Sequence, residues 1–236
     1  MPAALALTLL LLAADAPTEP FPPYLGQPEA WPPDVRREIS HIWTNRTVAR
    51  TVSGKPAAAP LDVYELLIDL PEVTSAAGRH LGAGGYRVVR VAPDHFEVAD
   101  SEGAQGTYRV ILKRPGERVV VALLQRRARL LGEVRGATLT RLTFREERDD
   151  GRPVVTQRVD TVARIDHRIA AMIARVLVPL FPGYADRKVA EVFTIASRVA
   201  AWSVDEPAAF CAWLATQPDG AKHRETFAPK IAACRG

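Results

Sequence analysis

The sequence predicts an α+β domain, with seven antiparallel strands in one sheet, two short helices after the first strand and a long helix near the C terminus. Three observations carry this. Between residues 86 and 165, apolar and polar residues alternate around three turns containing Pro, Asp or Gly, the pattern of β-hairpins. After Ile165 the apolar period changes from two residues to that of a helix. A hydrophobic fraction of 47% and a charged fraction of 25% over 236 residues suit one ordinary globular core.

Residues 1–16, "MPAALALTLLLLAADA", read as a signal peptide. The uncharged run Ala4–Ala14 is too short to span a bilayer, and Ala14-Asp15-Ala16 supplies a small-residue cleavage pattern, although no Lys or Arg precedes the run. The expectation is an exported protein, periplasmic or secreted. In such an oxidising compartment the only two cysteines, Cys211 and Cys234, are expected to pair. Residues 17–35 are rich in proline and are expected to form an extended, solvated leader. The main domain is expected over residues 36–203, and a short helix with a polar tail over 204–236.

"RTVARTVS" (46–53) has the β-branched content of a strand. In "APLDVYELLIDLPEVTSAAGRHLG", Val63, Leu66, Leu67 and Leu70 fall at helical spacing. Pro71 ends that helix and begins a second, which Gly82–Gly85 stops. A first hairpin turning at Pro93-Asp94 is expected to pair Val91 with Phe96, Val89 with Val98 and Arg90 with Glu97. A second, turning at Pro115-Gly116, is expected to pair Tyr108 with Leu123, Val110 with Val121 and Leu112 with Val119. A third, turning at Asp150-Gly151, is expected to pair Thr140 with Thr161, Leu142 with Val159, Phe144 with Gln157 and Arg141 with Asp160. Each hairpin then has one mainly apolar face, so the sheet is expected to be buried on one side only.

Ile169, Met172, Ile173, Val176 and Leu177 form one helical stripe, expected to face the sheet. Val189, Val192, Phe193, Ala196, Val199 and Ala200 form a second. "VPLFPGY" between them is read as a corner. Arg175, Pro179 and Pro182 exclude a membrane span here.

This order, together with stretches such as "APLDVYELLIDLPE", "QGTYRVILKRPGERVVVALL" and "ADRKVAEVFTIASRVAAW", resembles the START/Bet v1-like (SRPBCC) helix-grip superfamily over roughly residues 45–203. The resemblance implies a curved sheet wrapped around the long C-terminal helix, with an apolar cavity between them that takes a lipid or other hydrophobic small molecule. The residues it places along that cavity are Tyr108, Val110, Leu112, Val121, Leu123, Thr140, Leu142, Phe144, Gln157, Val159 and Thr161 from the sheet. Val192, Phe193 and Ala196 join them from the helix. Leu180, Phe181 and Tyr184 of the corner would gate the mouth or make transient contact with a membrane surface.

Catalytic chemistry finds little support in the residues. The five histidines fall near turns, helix ends and the tail, and there is no H-E-x-x-H, G-x-S-x-G or C-x-x-C pattern. No catalytic residue, cofactor or metal is therefore expected. The inward polar set (Tyr108, Thr140, Gln157, Thr161) orients a polar head better than it abstracts a proton. The net charge of +4 is modest and spread along the chain, so no nucleic-acid partner is expected. The arginines of "QRRARLLGEVR" (125–135) are read as a solvated strand end, with anionic lipid head groups as the alternative partner. The leading expectation is non-catalytic binding, and transport, of a hydrophobic ligand. A cyclase- or hydrolase-like enzyme on the same fold and a cavity-free protein-interaction domain are the alternatives.

Overall fold

The structure, a computed structural model, describes residues 19–26, 29, 31–128, 131–180 and 182–235, without the side chains of 128 and 175–191. Strands β1 (Val48–Ser53), β2 (Arg87–Ala92), β3 (His95–Ala99), β4 (Ala104–Arg114), β5 (Glu117–Ala128), β6 (Gly132–Asp149) and β7 (Arg152–Ile165) form one antiparallel sheet. Its order is β1-β7-β6-β5-β4-β3-β2. Helix α1 (Pro33–Thr44) precedes β1. Helices α2 (Leu61–Asp69) and α3 (Pro71–His80) follow it, and α4 (Arg168–Leu180), α5 (Pro182–Asp205), α6 (Pro207–Ala215) and α7 (Gly220–Phe227) follow β7.

Both faces of the sheet are covered, which corrects the expectation of one solvated face. The inner face packs with α2, α3, α5, α6 and α7 in a core that includes Tyr64, Leu67, Phe144, Val159, Phe193 and Val199. On the outer face, Val35, Ile39 and Ile42 of α1 pack on Val119, Val121, Ala137, Leu139 and Val162. Their spacing of four and then three residues puts them on one side of the helix, and Pro33 suits its first turn. Full burial of each contributes about 1.5–3 kcal/mol.

The leader is not solvated either. Leu25 is buried, and Phe21, Tyr24 and Trp31 pack against the same outer cluster. Proline limits the segment before α1 to one 3-10 turn (Pro23–Leu25), yet its interleaved aromatic side chains still bury apolar surface.

Register follows expectation in the β6–β7 hairpin, including Thr140 with Thr161, Leu142 with Val159, Phe144 with Gln157 and Arg141 with Asp160. It departs elsewhere through two β-bulges. In β2, a shift between Arg90 and Ala92 pairs Val88 with Val98, Val89 with Glu97 and Arg90 with Phe96. In β4, Leu112 pairs with Val119 as expected, but a shift between Val110 and Leu112 pairs Val110 with Val120 and Tyr108 with Ala122. An extra residue on one strand turns every later side chain to the other face.

The β4–β5 turn is fastened to α2 through Arg118. Its buried guanidinium grips Asp69 through Nε (2.8 Å) and Nη2 (2.9 Å), and donates to the carbonyls of Arg114 (2.6 Å) and Glu117 (2.8 Å). Burial alone would ease its proton off, but the bonds and charges of Asp69 and Glu65 outweigh that and hold it firmly charged. The Glu65 carboxylate also accepts the Gly116 amide at 2.6 Å.

The C-terminal residues form α7 and a last 3-10 turn in place of a polar tail. Phe227 and Ile231 are buried, and Cys234 is bonded to Cys211 of α6 with their Cα atoms 5.1 Å apart. No helix among the described residues is long and apolar enough to cross a membrane.

Two outcomes test this architecture. Ile39→Ala should cost about 3 kcal/mol in urea denaturation, the loss expected of a core position; a loss below about 1 kcal/mol would make α1 an appendage. Burial holds the half-buried His223 imidazole below its usual range, against opposing charge from Glu72 and Asp219. Its protonation therefore favours the unfolded chain, and stability should fall as pH drops below about 6.5. Replacement by Gln should flatten the denaturation profile over that window.

Candidate functional site

The inner face divides into a sealed half and an open half. In the sealed half, Leu142, Phe144, Val155 and Val159 meet Phe193 and Ala196 of α5, and all are buried. Gln157 closes this end. Its amide nitrogen donates to Lys55 O (2.6 Å) and Ser197 Oγ (2.8 Å), and its amide oxygen accepts from the Tyr64 hydroxyl. Every polar group of Gln157 is thus held within the protein.

The open half lies beside it, on β4 to β7. One cross-strand row runs Val110–Val120–Thr140–Thr161, and the next runs Tyr108–Ala122–Thr138–Ala163. All eight residues are only partly buried, and Leu124 on the same face is 37% exposed. The surface is apolar towards β4 and β5 and carries hydroxyls towards β6 and β7. Thr140 and Thr161 share a hydrogen bond of 2.8 Å between their Oγ1 atoms. Each hydroxyl still has capacity for a further partner.

Tyr108 closes the β3 side. It stacks on Phe96 with ring centroids 4.8 Å apart, and the Arg90 guanidinium lies 4.6 Å from the other ring. Arg90 is held by Glu72 of α3 at 2.8 Å and by the Asp69 carbonyl at 2.9 Å. Burial, with the Glu72 charge, pushes the Tyr108 phenol far above its usual range against the opposing pull of Arg90. The group stays protonated, with a proton to donate to a hydrogen bond and none of the character of a base.

The structure therefore sorts the expected site residues. Tyr108, Val110, Thr140 and Thr161 share the open surface. Leu142, Phe144, Gln157, Val159, Phe193 and Ala196 share the same face but belong to the sealed core. Three assignments to that face are corrected, because the β4 bulge puts Tyr108 and Val110 on the face opposite to them. Leu112 and Val121 pack in the outer cluster beneath α1, and Leu123 is 47% exposed on the outer side. Val192 is also corrected: it is 47% exposed and apart from the core that holds Phe193. Phe181, and the side chains of Leu180 and Tyr184, lie outside the described residues.

Sequence reasoning missed Val120, Ala122, Leu124 and Thr138. Val120, Ala122 and Leu124 alternate with the β5 residues that were expected inward, and Thr138 follows from Thr140 at two-residue spacing. It also missed an outer-face cleft of about 270 Å³ lined by Tyr24, Trp43, Thr51 and Asp160, built by the leader and α1. The Asp160 carboxyl is partly desolvated, yet hydrogen bonds from Arg158 and Thr51 (2.5 Å) bring it below its usual range. Among the described residues no group of three His, Cys, Asp or Glu is arranged to hold a metal ion.

The strand order, the helix pair after β1 and the long helix after β7 make a helix-grip arrangement of sheet and helices. No family model and no curated protein sequence matches the chain. Among solved structures it is similar to a conserved protein from Geobacillus kaustophilus (TM-score 0.49, 12% identity, 66% of this chain and 97% of that one). It is also similar to truncated norcoclaurine synthase from Thalictrum flavum (0.39, 13%, 64% and 94%) and to Ara h 8.0201 (0.36, 10%, 65% and 98%).

The division of the face is testable by urea denaturation. Gln157→Leu strands the partners it now satisfies and should cost about 3 kcal/mol, whereas Thr140→Val on the open half should cost less than about 1 kcal/mol. Equal losses would mean that both halves are packed core.

Proposed function

We propose that the protein binds a hydrophobic small molecule with a polar end, such as a lipid, on the open half of the inner face, and does no chemistry on it. The single observation that carries this reading is the row of residues from Leu124, Ala122, Val120 and Val110 to Thr138, Thr140 and Thr161, partly exposed among the described residues beside a fully packed core. An apolar body would lie along β4 and β5, with its polar group on the Thr140–Thr161 pair and within reach of the Tyr108 donor. The helix-grip architecture supports a ligand between sheet and helices. The inner-face groups named here are hydroxyls and a phenol held protonated, which suits orientation of a ligand and not proton abstraction.

Export is part of the same proposal. The signal-like residues 1–16 lie outside the described residues, but the Cys211–Cys234 bond suits an oxidising compartment. A carrier there would move its ligand between surfaces.

The direct test purifies the full chain without detergent and compares native with denaturing mass spectra, expecting a bound mass that is released on denaturation. Adjacent residues on opposite faces then locate it. Leu124→Asp should weaken binding of a fluorescent acyl probe by about tenfold or more. Leu123→Asp, next in the chain and also exposed but on the outer side, should leave binding unchanged. Equal loss in both variants would remove the inner face as the site.

A further inference from the structure

Helix α4 is built the wrong way round for a helix that serves only a core. Its stripe of large apolar residues was expected to face the sheet. Instead the helix buries Ala171, while Ile169 is 52%, Met172 60% and Ile173 39% exposed. The helix contacts β7, β1 and α5, and over its first turns it is the small Ala171 that is buried while these three large side chains are exposed. Three large apolar side chains within five residues form a patch, not scattered surface hydrophobes.

The surroundings of this patch are basic. Asp166, just before α4, donates its amide to the Arg135 carbonyl (2.9 Å), so α4 starts beside the β5–β6 turn. That end of the sheet carries Arg126, Arg127, Arg135, Arg164, His167 and Arg168. Arg126 pairs with Glu102 (3.3 Å), Arg135 with Glu133 (2.5 Å) and Arg164 with Asp166 (2.5 Å). The first two pairs are open to solvent and weakly held, so these arginines are able to exchange carboxylate for phosphate partners.

We infer that α4 and the adjoining basic end of the sheet form a docking face for an anionic lipid surface. Ile169, Met172 and Ile173 would enter the acyl boundary while the arginines meet the head groups, the arrangement of an interfacial helix. A second copy of the chain fits less well. A two-fold contact would set one basic rim against another, and the exposed area of three side chains falls well short of the roughly 800 Å² per partner of a stable interface. The inference rests on the helix and its charges, and is independent of the ligand reading.

The test is co-sedimentation of the full chain with vesicles of mixed phosphatidylcholine and phosphatidylglycerol, and with phosphatidylcholine alone. The expected result is binding to the anionic vesicles that weakens as salt is raised. In Ile169→Asp/Met172→Asp it should fall about tenfold, with an unchanged thermal midpoint because both residues are already in water. Leu124→Asp should bind vesicles like the parent, which separates this surface from the ligand site. Equal binding by the parent and the double variant, or by both vesicle types, would overturn the inference. So would a dimer in light scattering that the double variant abolishes, since the patch would then belong to a protein contact.

Discussion

Everything about this sheet depends on a single extra residue in β4. On its turn side, Leu112 pairs with Val119 and points to the outer face; beyond the shift, Val110 and Tyr108 point to the inner one. Because a strand alternates strictly, this bulge decides which members of an almost unbroken apolar run face α1 and which face the helices on the other side. Without it Val119 and Val121 could still pack under α1, but Tyr108 and Val110 would join them. The inner surface would then lose its stack on Phe96 and the apolar end of its open half. The β4 side of the inner layer is set by this local irregularity.

How much was legible in the sequence follows from the same physics. The β6–β7 hairpin could be read to the residue, because its two-residue turn at Asp150 and Gly151 takes positive φ at both positions and so fixes the pairing on either side. The β4–β5 hairpin could be read only as far as the bulge. No glycine marks it: the residue between Val110 and Leu112 is Ile111, which looks like any other strand residue. Helix α1 was legible in principle from Val35, Ile39 and Ile42, but the prolines before it favoured the reading of a solvated leader. For α4 the period was right, but Ile169, Met172 and Ile173 face solvent and not the sheet. Periodicity locates an apolar stripe without saying what covers it, and alanine packs closely where a larger residue would not.

The two ends of the molecule are secured by different means. Arg118 holds the β4–β5 turn to α2 through charge and hydrogen bonds satisfied from several sides, the circumstance in which a buried ion makes its geometry specific. At the far end, Phe210, Leu214, Phe227 and Ile231 bring α6 and α7 into the core, and the Cys211–Cys234 bond closes the chain on itself. Between these anchors the open half of the inner face is bounded but not filled. A chain fixed at both ends can leave such a surface unsealed without losing its fold.

The placement of α1 has a consequence for how the chain comes to be folded. Its apolar face is made before any strand of the sheet, and half of the surface it covers, from Ala137 to Val162, is made about a hundred residues later. At 5–20 residues per second the delay is roughly 5 to 20 seconds. Throughout that interval Val35, Ile39 and Ile42 lack the β6 and β7 part of their cover, and the contacts that complete it span nearly half the chain. Such long-range closure is slow. The N-terminal helix is thus the earliest part of the domain to be made and among the last to find its place, which makes the nascent chain a natural client for whatever shields apolar segments during synthesis.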